Sequence, residues 1–373
     1  MVAGSSPAGP TRRNPASPTG PASRLSPAPL QALLLSDGKP GHYHQAEGVV
    51  AAIARLRPVR TERLEVRRRF VVPTRTLLQL VNAGFAPGAV LRLGYGLQVS
   101  SLPQAQVVVS AGGETLAANA AIAKALRAVN IFCGRLRRLA PEHVRLVIVS
   151  LERFADLPNH MVSLPPSPID IGGRRRSAGG EARLGRANPP SRVGVLVGGN
   201  SGAFRYTPED WLELTRFLAE AHRSHGLRWL ATTSRRSGDF IADRLAAMAA
   251  DPASGLEQFI DFRTAGPGAL SRIFAAVDAV VCTDDSTTMI SEAVGACLPV
   301  VSLLPRTHAL EPREAEYRRV LEERGWYRRL PLAGLSAEAF LGALEAITPR
   351  TTSQLDELAA AVGGRLPELF AAA

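Results

Sequence analysis

A chain of 373 residues, 46% of them apolar, can fill two globular cores, while none of its apolar runs approaches the ~20 residues of a membrane span. Three widely spaced cysteines, Cys133, Cys282 and Cys297, argue against a disulfide framework or a zinc site and read as reduced core residues of a cytoplasmic protein. The formal net charge is +11, yet aromatics are only 5% and no basic stretch is interleaved with them, which argues against nucleic-acid binding.

Charge is unevenly placed. Residues 1–170 carry 20 Lys and Arg against 9 Asp and Glu, whereas residues 193–373 carry 18 against 23. Two readings stay open: solubility in an arginine-rich proteome, or an N-terminal domain that meets an anionic membrane surface or an anionic acceptor.

In chain order, residues 1–28 are rich in Pro, Ala, Ser and Gly, lack the apolar block of a secretory signal, and are expected to be a disordered tail. Residues 29–164 read as an α/β domain. Leu30 to Leu35 is its first strand. The loop Ser36-Asp37-Gly38-Lys39-Pro40-Gly41-His42 follows, and a helix is expected from the spacing of Ala46, Val49, Val50 and Ile53. That loop is not a P-loop, because Pro40 stands where Ser or Thr is needed after the lysine. Arg60 to Val66 alternates as a strand. Arg67-Arg68-Arg69-Phe70-Val71-Val72 then precedes an apolar helix through Leu77, Leu78 and Val81, a pattern that fits either a solvated edge or a membrane-facing segment. Strands are expected at Gln106–Ser110, Ile131–Cys133, Leu146–Val149 and Met161–Leu164, with an Ala-rich helix through Ala128.

Residues 165–191, with the triple arginine Arg174 to Arg176, break all periodicity and read as a linker or mobile loop. Residues 192–348 repeat the α/β pattern. Arg192–Val197 is a strand followed by Gly198-Gly199-Asn200-Ser201. Thr207-Pro208-Glu209-Asp210 is a helix start, Arg228–Thr233 a strand and Phe259–Phe262 a short strand. Ala279–Cys282 is a buried strand. It runs into Asp284-Asp285-Ser286-Thr287-Thr288, a turn of N-cap residue types, and then a helix through Glu292 that ends near Gly295. Free N–H groups and hydroxyls there favour an anion. Helices are expected at Glu316–Glu323 and Ala337–Ile347, and residues 349–373 close the chain as a helical segment. The fold class is therefore α/β, two doubly wound domains facing across a cleft.

The glycine loops and the Asp285-Ser286 turn-helix resemble the GT-B glycosyltransferases. Within them the chain resembles the elongated-mitochondria family, mitochondrial fission proteins in plants that are also common in bacteria. Ser36 to His42 with Gln45, Gly198 to Ser201, Thr233 to Arg236 and Thr283 to Ala293 carry the likeness, which spans Leu33 to Leu304. The resemblance implies a metal-independent glycosyltransferase with no cofactor, its co-substrate a nucleotide-diphosphate sugar in the cleft. Gly198, Gly199, Asn200 and Ser201 would approach the diphosphate, Ser286, Thr287 and Thr288 would bond its oxygens, and Arg235 or Arg236 would neutralise it. Glu292 would accept from sugar or ribose hydroxyls, and Asp284 or Asp285 would cap backbone N–H groups. Asp37 and His42 are the candidate general bases, and Cys282 and Cys297 are expected in the core. Two alternatives stand beside this. One is a non-catalytic adaptor that recruits a protein partner at a cytosolic membrane face. The other is a sugar-nucleotide 2-epimerase, against which Thr287-Thr288 speaks, since that turn carries Gly-Gly in those enzymes.

Overall fold

The computed structural model describes residues 1, 28–169, 184–265 and 268–371. The expected tail, apart from Met1 and Ala28, and the triple arginine at Arg174 to Arg176 lie outside the described residues.

The first domain holds β1 (Leu30–Ser36), β2 (Val59–Glu65), β3 (Val107–Ala111), β4 (Val129–Cys133), β5 (Leu146–Val149) and β6 (His160–Val162), in the order β2-β1-β3-β4-β5-β6. All neighbours are parallel. Such a sheet must be covered on both faces, and β3 is accordingly buried along its whole length. On one face Leu33, Leu35 and Val108 pack under the helices Thr74–Asn82, Pro87–Tyr95 and Leu116–Leu126. On the other, Leu34, Val107 and Val109 meet the helix Pro40–Ala54 and the C-terminal helix Gln354–Arg365. Leu355, Leu358 and Val362 give that last helix one apolar stripe, so the chain returns at its end to complete the first core.

The second domain holds β7 (Arg192–Leu196), β8 (Phe204–Arg205), β9 (Arg228–Thr232), β10 (Leu256–Ile260), β11 (Ala279–Thr283), β12 (Val300–Leu304), β13 (Thr307–His308) and β14 (Tyr327–Pro331). Six form a parallel sheet ordered β10-β9-β7-β11-β12-β14, and β8 pairs antiparallel with β13. The expected start at Thr207 is a capping box: Thr207 Oγ1 accepts from the Asp210 N–H, and the Asp210 side chain accepts from the Thr207 N–H. In both sheets the strand order reverses at the first strand of the domain, which opens a crevice at the carboxyl edge. These edges face each other across the interdomain junction, where Arg153 pairs with Glu316 at 2.5 Å and His44 with Glu292 at 2.7 Å.

Three expectations need correction. The strand expected at Phe259–Phe262 runs instead from Leu256 to Ile260. Asp261 Oδ1 accepts from the Arg263 N–H at 2.9 Å and Thr233 Oγ1 from the Phe262 N–H at 3.0 Å, and these bonds start a helical turn. Cys297 is half-buried rather than core, in a left-handed residue (φ 60) just past a helix end, whereas Cys133 and Cys282 are buried. The Asp284 and Asp285 carboxylates cap no helix, for reasons the site makes plain. The edge strand β14 and the helix Asp239–Ala250 went unanticipated.

Candidate active site in the interdomain cleft

The loop after β1 is shaped by its own side chains. Ser36 Oγ accepts from the Gly38 N–H at 3.2 Å and Asp37 Oδ1 from the Lys39 N–H at 3.1 Å. Pro40 then starts the helix that carries His42 in its first turn. Asp37 Oδ2 lies 2.8 Å from His42 Nδ1, and the Asp37 side chain is only 1% exposed against 35% for His42. Across the strand-order reversal, Gly112 follows β3. A Cβ there would stand 2.2 Å from His42 Nδ1, and its φ of +86° is left-handed, so only glycine lets the ring sit where it does. A buried carboxylate thus holds one ring nitrogen, and Nε2 has no protein partner among the described residues. The two residues expected as alternative bases are therefore hydrogen-bonded to each other.

His42 lines a cavity of about 650 Å³ together with Arg135, Arg137 and Arg138, from the loop after β4, and Arg313, from the start of the helix Pro312–Glu323 in the second domain. No Asp or Glu is among its lining residues. Burial, followed by the charges of Arg313, Arg153 and Arg137, pulls the Arg135 pKa down. Sequence reading missed these arginines. The available signal was Gly134-Arg135-Leu136-Arg137-Arg138 directly after a predicted strand, but nothing in the chain brings Arg313 to it except the packing of the two domains.

At the carboxyl edge of the second sheet the predicted residues do come together, though largely bonded to one another. The Gly198 N–H donates to Thr283 Oγ1 at 2.7 Å, and a Cβ on Gly198 would lie 2.2 Å from the Asp285 carboxylate. Asn200 Oδ1 accepts from the Tyr206 N–H at 2.7 Å, and Ser201 bridges to Phe204. Arg236 pairs with buried Asp285 at 2.5 Å, and burial raises the Asp285 pKa. Asp284 is taken by Arg318, Nε at 3.1 Å from both its oxygens, by Ser302 Oγ at 2.6 Å and by the Tyr327 hydroxyl. Both carboxylates are therefore committed to ion pairs, and Ser286 caps the helix Thr287–Gly295 instead, accepting from the Met289 N–H. Thr287 Oγ1 accepts from Arg318 Nη1 at 3.1 Å. Thr288 and Arg235 are exposed, and neither has a protein partner among the described residues.

Glu292, expected to accept from ligand hydroxyls, accepts from His44 Nε2 at 2.7 Å and from Ser167 Oγ at 3.3 Å, which ties the two domains together. Burial depresses the His44 pKa, but Glu292 and Glu47 outweigh it and leave the pKa raised above 6.5. A raised histidine pKa stabilises the fold at acidic pH, and that contribution fades as pH rises through the folded-state value. The thermal midpoint of wild-type protein, relative to Glu292→Gln, is expected to fall between about pH 6 and pH 9. Parallel pH curves for the two would mean the pair contributes nothing.

The segment after β2 leaves the same edge of the first sheet. There Phe70 and Val71 are 94% and 83% exposed, between Arg67 and Arg75. Among the described residues no helix is long and apolar enough to cross a membrane, and no three His, Cys, Asp or Glu side chains are grouped to hold a metal ion.

Two facing doubly wound domains are the GT-B architecture. UDP-GlcNAc 2-epimerase from Methanocaldococcus jannaschii superposes with TM-score 0.53 at 10% identity, over 91% of this chain and 99% of that one. MurG from Acinetobacter baumannii gives 0.46 at 12% identity over 90% and 100%, and the glycosyltransferase SnogD from Streptomyces nogalater 0.46 at 15% over 91% and 96%. At 10% identity the likeness to the epimerase is one of fold. No curated protein matches the sequence. The pattern of the mitochondrial fission ELM1 family matches residues 40–366, nearly the whole described chain, and the protein belongs to that family.

Proposed function

We propose that the protein is a glycosyltransferase that takes a nucleotide-diphosphate sugar into the interdomain cleft and passes the sugar to a hydroxyl acceptor presented at a membrane surface. The observation that carries this is the Asp37–His42 pair, a base with its orienting carboxylate, opening into a cationic cavity between the domains. His42 Nε2 takes the acceptor proton as the hydroxyl attacks the sugar's anomeric carbon. The nucleoside diphosphate leaves, its charge met by cations and by N–H groups at the start of the helix Thr287–Gly295. Arg235, the Ser286 hydroxyl and Thr288 are the donor-side groups. Exposed Phe70 and Val71, flanked by arginines, support the membrane location.

Calorimetric titration of the full chain with UDP-, GDP- and CMP-sugars tests the reading. One nucleotide-diphosphate sugar is expected to bind, with weaker binding by Arg235→Ala. If none of them binds or raises the thermal midpoint, the transferase reading falls and the adaptor remains.

A further inference from the structure

The cavity beside His42 gathers four guanidinium groups from two domains with no carboxylate among its lining. Several other arginines are answered by acids: Arg236 by Asp285, Arg318 by Asp284, Arg306 by Asp210, Arg186 by Glu338 and Glu345. Arg135, by contrast, stacks on the Phe154 ring, 5.5 Å from its centroid, and forms no ion pair among the described residues. Like charges held this close repel, and a polyanion seated among them returns that free energy as charge-assisted, bidentate hydrogen bonds. Arg313 adds more than charge. It sits at the second position of a twelve-residue helix whose N-cap residue, Glu311, makes no side-chain cap bond, so the first N–H groups of that helix stand at the same rim.

We propose that this cavity is a phosphate site for the acceptor: Arg135, Arg137, Arg138 and Arg313 hold a phosphate or diphosphate group of the acceptor while His42 meets its hydroxyl. That a phosphate binds here stands on the cavity alone; that it belongs to an acceptor rests on the transferase reading. The phosphate could come from a lipid carrier or from a soluble sugar phosphate. The exposed Phe70–Val71 segment, on the same sheet edge, makes the lipid carrier the source to test first.

Inorganic pyrophosphate is titrated into the full chain with the nucleotide that binds held at saturation. Wild type is expected to bind it, and Arg135→Ala/Arg137→Ala to lose at least about tenfold in affinity, with nucleotide affinity unchanged within about twofold. Equal pyrophosphate affinity in the two proteins overturns the site. A parallel loss of nucleotide affinity overturns the acceptor assignment, since the cavity would then hold the donor. If no nucleotide binds but pyrophosphate binding still depends on these arginines, the cavity stands and the transferase reading fails. Sedimentation with phosphatidylcholine vesicles, with and without polyprenyl phosphate, separates the sources. A lipid carrier predicts pelleting only with the phosphorylated lipid, lost in Phe70→Ser/Val71→Ser while pyrophosphate affinity is kept. Protein that binds pyrophosphate but stays in the supernatant overturns the lipid source.

Discussion

Arg318→Met is expected to destabilise the second domain by about 3–5 kcal/mol, the usual cost of leaving one member of a buried ion pair alone. Arg318 and Asp284 are both fully buried, and Arg318 additionally donates to Thr287 Oγ1 and to the Asp284 carbonyl. Burial works against the guanidinium charge, yet Asp284 and its neighbours more than compensate, and the Arg318 pKa is raised. Removing the arginine leaves a carboxylate without a counter-ion under β11, β12 and β14. Asp284→Asn/Arg318→Met, which removes both charges, should recover part of the loss. All three tryptophans, Trp211, Trp229 and Trp326, lie in the second domain, so their fluorescence in denaturant reports this unit directly. A cost below about 1 kcal/mol for the single variant would mean that water or a neighbour replaces the pair. The pair also anchors the helix that delivers Arg313 to the cavity, so its loss should weaken pyrophosphate binding from a distance.

Turnover is expected to fall about 10²- to 10⁴-fold in His42→Ala, the usual contribution of a positioned general base. Donor affinity should be unchanged, because the proposed donor groups lie on the other domain. In the proposed mechanism Asp37 would act through His42 as a positioning residue, since its oxygen lies 2.8 Å from Nδ1 and leaves Nε2 free to face the cavity. Asp37→Asn should therefore reduce kcat while the donor Kd and the thermal midpoint stay near wild type. Product formation measured at saturating donor checks both. A kcat within about threefold of wild type in His42→Ala would remove the histidine from the chemistry and leave some other group to take the proton.

Much of the architecture was legible because it is written in short-range pattern. Val107 to Val109 and Ala279 to Cys282 are apolar without interruption, which suits strands covered on both faces, and Thr207-Pro208 and Ser286 are helix starts by residue type alone. β14 escaped notice because it is an edge strand, whose Arg328 and Arg329 reach out to the Glu322 carbonyl and side chain and hide the period of two. The C-terminal helix was visible as a helix, but nothing local said that it packs on the first domain.

The candidate site divides along the same line. Asp37 and His42 are five positions apart, so one turn could be foreseen to join them, and the anion-favouring chemistry of Gly198 to Ser201 and of Ser286 to Thr288 follows from residue type. What each of those groups is free to do could not be foreseen. Asp285 is spent on Arg236, Asp284 on Arg318 and Glu292 on His44, while Arg135, Arg137, Arg138 and Arg313 line a cavity with no acid in its wall. Backbone conformation depends on neighbours within a few residues, and the sequence holds that information by itself. Pairing of charges is a property of distances below about 4 Å in the folded chain, and it was settled only when two separately encoded domains closed on one another.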